Sequence, residues 1–512
     1  MGRKLFANGT VRTLAGPGAR ADWVLTEGGR ILATGTGDPG PVEAARIDLA
    51  GRTLIPGFID PHGHFPDSGF NALFRVDLAA PPVGDCRTLT EALDRLARAP
   101  GSGWVLGAAF DHISLPEGRF PTLAELDAIH PDRPLWLLHV SGHAGAVNSA
   151  AMALLGITGT GFLQGMAAMG ELGATDFGID APDFAAGVAA AAREYLAQGV
   201  TLAQNSWIEP RMLDRFLACD RAGELPIDVV LLPQAEMEPG LSRNPPSGLE
   251  RLILGPRKLF ADGAFQVQTA HLSQPYFRPI NGNPDWRGTR YTEPDVLAEQ
   301  VLALHRAGHQ IHIHTNGDAA SDDALNAFEA AQAAHPRADH RHTLIHGQYL
   351  RDNQLDRMAR LGVTVSFFSA HVFFWGEKHR SEFLGPERAA RISPARSALD
   401  RGVRITIHND ASVTPTRPLH LMWCAVERIT AAGNVLGAAQ RITPEEALRA
   451  HTLDAAWQVF QEAERGSIEP GKRADFAILS DDPVTAEKPL KDIAVHETVV
   501  LAKTAWRRPE AS

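Results

Sequence analysis

The hydrophobic and polar positions of the chain change rhythm twice. Over the first fifty or so residues, short runs ("KLFANGTVRTL", "ADWVLTEGGRILATG", "ARIDLAGRTLIPG") alternate apolar with polar positions and are cut by Gly and Asn-Gly turns. That is the pattern of antiparallel β-structure. The far end returns to it in "GSIEPGKRADFAILSDDP" and "HETVVLAKTAW". The two ends are expected to form one small β-sandwich domain, from residues 1–56 and 458–512.

Between them the period lengthens. "DFAAGVAAAAREYLAQGVTLAQNS", "DVLAEQVLALHRAGHQIHIHTNGD", "DNQLDRMARLGVTVSFFSAH" and "ARSALDRGVRITIHND" each read as a helix, a short loop and a strand. Repetition of that unit predicts an α/β fold with a parallel sheet. Residues 57–457 leave room for the eight units, about 250 residues, of a TIM-like (β/α)8 barrel. The segment from about 67 to 149 is too long for a simple βα connection. It is expected to be an insertion after the first barrel strand, returning to a strand at "PLWLLHV". The Gly- and Met-rich stretch "GFLQGMAAMGELG" reads as a loop.

Composition narrows the function classes. A hydrophobic fraction of 44% and a charged fraction of 21% are ordinary for a soluble globular chain. The net charge of −11, with no basic block, points away from nucleic acid. No apolar run is long enough for a membrane span, and the start lacks the apolar stretch of a signal peptide. The three cysteines, Cys86, Cys219 and Cys424, are too few and too far apart for a disulfide framework or a Cys-type zinc site. A cytoplasmic setting is expected.

The 21 histidines carry the chemistry. In "LIPGFIDPHGHF", His62 and His64 stand one residue apart at the end of an apolar run. On a strand, such neighbours face the same side, as two metal ligands would. Later apolar runs end in the same kind of residue: "RKLFADG" carries Lys258, "HQIHIHTNGD" ends in His314, "HTLIHGQ" in His346 and "VRITIHNDAS" in Asp410. A parallel barrel gathers the C-terminal ends of its strands at one face, where its active site lies. The other candidates read more blandly. His312 is a packed neighbour of His314, His342 begins its strand, and His305, His309 and His340 belong to helix or loop. Asp262 reads as a turn residue. His408, on the face of Asp410, is a candidate partner of a ligand.

The ordered set "PGFIDPHGHF", "KLFADGAFQVQTAHLSQPYF", "IHIHTNGDAA", "LIHGQ", "ITIHNDASVTP" and "GSIEPGKRADFAILS" resembles the amidohydrolase superfamily. Within it, the chain is similar to the YtcJ-like branch of the amidohydrolase-3 group, which includes N-substituted formamide deformylase. One departure is Ile345, where the family more often has Glu. A strand neighbour faces away from His346, so no ligand loss is expected. The resemblance implies one or two divalent metal ions, zinc preferred. His62, His64 and Asp410 would hold the more buried ion and His314 and His346 a second. Lys258 would bridge them as a carbamate, since an ammonium has no lone pair to offer. Asp410 would also act as general base, and "LLHVSGHAGAVNSAAM" places His143 near the pocket, where it would polarise a carbonyl. The implied reaction is hydrolysis of an amide, N-formyl or N-acyl C–N bond of a small molecule. A cyclic amidohydrolase, a deaminase and a catalytically inactive binding relative remain alternatives. The expected partners are a small-molecule amide and, as a homodimer, a second copy of the chain. The aromatic stretch from Phe367 to Trp375 reads equally as a substrate wall or as core.

Overall fold

The two rhythms of the middle segment, apolar runs and amphipathic helices, become parallel strands covered by helices. The computed structural model describes residues 2–166, 170–171, 175, 177–235, 237 and 251–509. One parallel sheet has the order Leu252–Leu254, Asp228–Pro233, Val200–Ile208, Phe58–Ile59. A second has the order Arg257–Phe260, Ile311–Thr315, Thr343–His346, Thr364–Phe367, Ile405–Ile407. These strands are buried on both faces, which is why they read as continuous apolar runs rather than alternating ones. A backbone hydrogen bond ties the sheets together at one seam, where His64 N–H donates to Ala411 O at 2.7 Å. Register in the second sheet sets Lys258 opposite His312, Phe260 opposite His314, and Thr315 opposite His346.

The helices start and stop where side chains dictate. Asp180 caps Ala181–Ala197 by accepting from Asp183 N–H, with Pro182 in the first turn. Thr443 and Glu446 form a capping box on Pro444–Ala450. Gly362, at φ 69°, ends Asp352–Leu361 in the left-handed conformation and turns the chain into Thr364–Phe367.

Both chain ends meet in one six-stranded sheet, ordered Lys503–Arg507, Val495–Val500, Phe476–Leu479, Thr53–Pro56, Thr10–Arg12, Arg20–Ala21. A four-stranded sheet of N-terminal strands shares a core with it. Phe6, Val24 and Ile31 pack in one cluster with Leu54, Ile468, Phe476 and Val499.

The insertion carries its own five-stranded sheet, ordered Phe162–Gln164, Ala144–Val147, Leu135–His139, Val105–Phe110, Val76–Asp77. The strand expected at "PLWLLHV" is present within it. Leu135–His139 sits at the centre of the inserted sheet, and the chain regains the parallel sheets only through Ala181–Ala197 and Val200–Ile208. The inserted sheet also continues past residue 149, to Gln164. A fully buried strand has the same apolar run in either sheet, so the pattern alone does not say which one it joins. Of the Gly- and Met-rich stretch, residues 167–169 and 172–173 lie outside the described residues. Among the described residues no helix is long and apolar enough to cross a membrane.

Candidate active site

His62 and His64 converge, but not because they share a strand. The strand ends at Ile59, and both histidines lie in the bend that follows. What aims them is the bond from His64 N–H to Ala411 O and a second from Asp410 N–H to His62 O at 3.2 Å. These lock the bend against the loop that carries Asp410. The rings stand 5.7 Å apart. Asp410 and His346 both hold left-handed backbone, at φ 52° and 72°. A non-glycine residue in a sparsely populated backbone region costs about 1–3 kcal/mol and persists only where its surroundings enforce it, typically at functional sites.

Five of the predicted side chains present compatible donor atoms. Asp410 Oδ1 lies 3.4 Å from His62 Nε2 and 3.3 Å from His64 Nε2. Donor atoms of His62, His346 and Asp410 fall within 4.8 Å of one another. Ligands bound to one zinc at about 2.0–2.2 Å in a tetrahedron stand about 3.3 Å from each other. On His62 and His346, Nδ1 is already engaged. His62 Nδ1 is hydrogen-bonded to Ser206 Oγ at 2.8 Å. His346 Nδ1 is hydrogen-bonded to His408 Nε2 at 3.0 Å, and His408 Nδ1 to Ser366 Oγ at 2.8 Å. His314 Nδ1 lies 3.3 Å from Asp262 Oδ1, its ring 4.6 Å from that of His346. On His62, engagement of Nδ1 leaves Nε2, the nitrogen facing Asp410, as the free donor, the arrangement a metal requires.

Charge agrees with geometry. Burial pushes the Asp410 carboxyl up, but His346, His62 and His64 together outweigh it and hold it well below the usual carboxylate range. Its Oδ1 is buried and has no hydrogen-bond partner. A buried anion with an unpartnered oxygen facing two imidazole nitrogens fits a cation. Burial also depresses His62 and His346 well below the usual imidazole range and His314 to about 3, which keeps them neutral ligands. Lys258 lies buried on Arg257–Phe260, with Nζ 5.2 Å from the Phe260 ring. Burial brings its amine down to about 7, against the pull of Asp410.

All six candidate ligands and His143 line one cavity of about 230 Å³. Phe70, Phe177, Phe184, Trp207 and Phe260 also line it. A smaller recess of about 20 Å³ beside Asp410 is lined by Gln266, Asn316, Phe368 and His371. The aromatic stretch is thereby divided. Phe368 and His371 reach the recess, whereas Phe367 is buried core and Phe373 and Phe374 pack on His420.

Sequence reasoning missed Asp262 and Ser206. Asp262 is no simple turn residue. It accepts backbone N–H groups of His271, Asn316 and Gly317 at 2.8–2.9 Å while facing His314. Both partners come from distant parts of the chain, so spacing gives no sign of them. His312 is buried, with neither nitrogen partnered. His342 pairs with His305 at 2.8 Å, away from the cavity.

A second group, Asp111, His112 and His139, also clusters its donor atoms. Here the protons point the wrong way for a cation. Ser141 N–H donates to His139 Nδ1 at 3.1 Å. That leaves the ring proton on Nε2, which faces His112 Nδ1 at 3.2 Å. The group is a hydrogen-bonded wall of the cavity, fastened by Trp375 Nε1–H to Asp111 Oδ2 at 3.0 Å.

A profile of the amidohydrolase family matches residues 45–503. The chain belongs to the amidohydrolase family. It is 30% identical to the N-substituted formamide deformylase of Arthrobacter pascens, over 97% of both chains. It is 26% identical to the YtcJ protein of Bacillus subtilis, over 99% of this chain and 100% of the other. Among solved structures, an uncharacterized metal-dependent hydrolase from Pyrococcus horikoshii superposes with a TM-score of 0.76 at 25% identity, covering 95% of this chain and 99% of that one. Membership thus extends across the parallel sheets, the insertion and most of the terminal strands.

Proposed function

We propose that this amidohydrolase cleaves the C–N bond of a small non-peptide amide, N-formyl or N-acyl compound, with zinc as its metal. The observation that carries the reading is Asp410 Oδ1, buried, without a hydrogen-bond partner and 3.3–3.4 Å from two imidazole nitrogens. His62, His64 and Asp410 would hold one ion, and His314 and His346 a second. A divalent metal, when bound, supplies a water whose pKa is lowered to about 7 and a positive charge for the carbonyl oxygen. Asp410, ionised throughout the neutral range, takes the proton of the attacking water. It then returns that proton to the departing nitrogen, so that the C–N bond breaks with the amine neutral. His143, across the cavity, faces the carbonyl oxygen as charge gathers on it. Lys258 is proposed as a bridging carbamate. Burial brings its amine down to about 7, and a neutral amine adds to CO₂ with loss of one proton, giving one negative charge shared by two oxygens that would face the metals.

The same proposal takes the two parallel sheets as halves of one (β/α)8 barrel, joined at the His64–Ala411 seam. It takes the paired terminal sheets as a β-sandwich over the core of Phe6, Leu54 and Phe476.

The test is a panel of N-formyl and N-acyl amines offered to the zinc-loaded protein, with elemental analysis of the protein and identification of products. An amine and a carboxylic acid in equal amounts are expected. Release of ammonia would shift the reading to a deaminase. A protein that takes up no zinc and hydrolyses nothing in the panel would overturn it.

A further inference from the structure

His143 reaches the cavity from the insertion, in the turn between Leu135–His139 and Ala144–Val147. It is buried, with its ring 4.9 Å from that of His314. An imidazole there assists a carbonyl only if the nitrogen facing the substrate carries the proton. In a neutral imidazole that depends on what the other nitrogen accepts or donates.

The other nitrogen, Nδ1, lies 3.1 Å from the hydroxyl of Tyr291. Tyr291 belongs to the loop that leads into the helix Pro294–Arg306 and is pinned by its N–H to Ala261 O at 2.8 Å. The phenol oxygen has a second neighbour, the hydroxyl of Thr269. Thr269 Oγ1 accepts Ala264 N–H at 3.0 Å and donates its own proton to Ala264 O at 3.4 Å. The phenol proton is directed at His143 Nδ1, the side-chain partner the hydroxyl has at hydrogen-bond distance. Burial raises the Tyr291 pKa above its ordinary value, which keeps the group a donor. The backbone makes room for it at two points. A Cβ on Gly263 would come within 2.6 Å of the phenol oxygen, and one on Gly165, at φ 69°, within 3.3 Å of the ring.

We propose that Tyr291 is the positioning residue of His143: its hydroxyl donates to Nδ1, fixes the tautomer that carries the proton on Nε2, and so presents an N–H to the carbonyl oxygen of the substrate. The inference rests on the amide-hydrolysis reading. As the water oxygen bonds to the carbonyl carbon, the π pair moves onto oxygen, and the Nε2–H donates to that oxygen without giving up its proton. The proton ledger of Asp410 is unchanged.

Tyr291→Phe removes the hydroxyl and keeps the ring. Outright loss of an oxyanion donor costs about 10²–10³ in kcat. Loss of its orientation should cost less, about 10- to 100-fold in kcat with KM little changed. In a His143→Ala background the same substitution should cost nothing further, because no tautomer remains to be fixed. Nitrogen NMR of the ring-labelled protein gives a readout apart from turnover: one tautomer at His143, protonated on Nε2, in the wild type and a mixture in Tyr291→Phe. The proposal is overturned by an unaltered His143 spectrum in Tyr291→Phe, or by an equal loss of kcat with and without His143. If the wild type hydrolyses no amide, the functional reading fails, and the nitrogen spectrum still decides the tautomer.

Discussion

Asp410 Oδ1 stands between His62 and His64, and one substitution isolates what its charge does. Asp410→Asn keeps the shape but loses the anion and the basic oxygen. General-base catalysis contributes about 10²–10⁴-fold, so kcat should fall at least that far while the fold stays intact. A purified variant with full metal loading and near wild-type kcat would show that the base lies elsewhere. Lys258→Ala tests the bridge: bound metal should drop from about two ions toward one, and added short carboxylic acids should restore part of the activity by supplying the missing oxygens. Undiminished metal content in that variant would remove Lys258 from the ligand set. At this scale much was legible in advance. His62, His64, Lys258, His314, His346, Asp410 and His143 all line the one cavity, because metal-binding side chains at the ends of apolar runs have few other uses. The partners that orient them were not legible. Ser206 beside His62 and Asp262 beside His314 act through contacts between distant segments, and nothing in their local sequence separates them from a strand serine and a turn aspartate.

Elements were legible where period and length agreed. The helix–loop–strand units ending in His314, His346 and Asp410 formed as read, since a buried strand between amphipathic helices leaves little choice. "PLWLLHV" formed the strand read there, but the sheet it joins was not legible, because burial on both faces erases the alternation that would have distinguished one sheet from the other. The joint between the strand Asp228–Pro233 and the C-terminal segment was invisible for the same reason that Asp262 was. There, buried Asp228 meets Arg465 at 2.5 Å, Arg251 at 2.8 Å and Arg473 at 3.0 Å. Burial alone would raise the carboxyl, but Arg465, Arg473 and Arg251 outweigh it and the folded pKa is lowered. Asp228→Asn leaves buried guanidinium groups short of their counter-charge, a loss of about 3–5 kcal/mol for a broken buried pair. The sign of the pH effect follows from the lowered pKa. The stabilisation is fully present above the unfolded value of about 3.9 and is lost as pH falls from there through the folded value. The gap between wild type and Asp228→Asn in denaturant unfolding should therefore be flat from about pH 5 to 8 and narrow only below about pH 4. A gap that closes between pH 5 and 8 would mean that another group governs this joint.

Across the whole molecule, the cavity is a meeting of parts that fold for separate reasons. The two parallel sheets supply the ligands, the insertion brings His143 over them on its own core, and the terminal sheets close on a third. The energetic link between them is the buried charge at the centre. Asp410 stays ionised with an unpartnered oxygen, among imidazoles held neutral, and an uncompensated buried anion is costly to the folded state. A bound cation removes that cost, and since the ligands come together only in the folded chain, it favours folding by RT ln(1 + [M]/Kd), about 2.7 kcal/mol at a hundredfold excess over Kd. Dialysis against a chelator should therefore lower the thermal midpoint by several degrees and abolish turnover, and both should return on titration with zinc. Asp410→Asn, which removes the anion, should show a smaller chelator-induced drop than the wild type. Equal drops in the two proteins would place the stabilising cation away from Asp410, and a chelated wild type with unchanged midpoint and activity would end the metal-centred account.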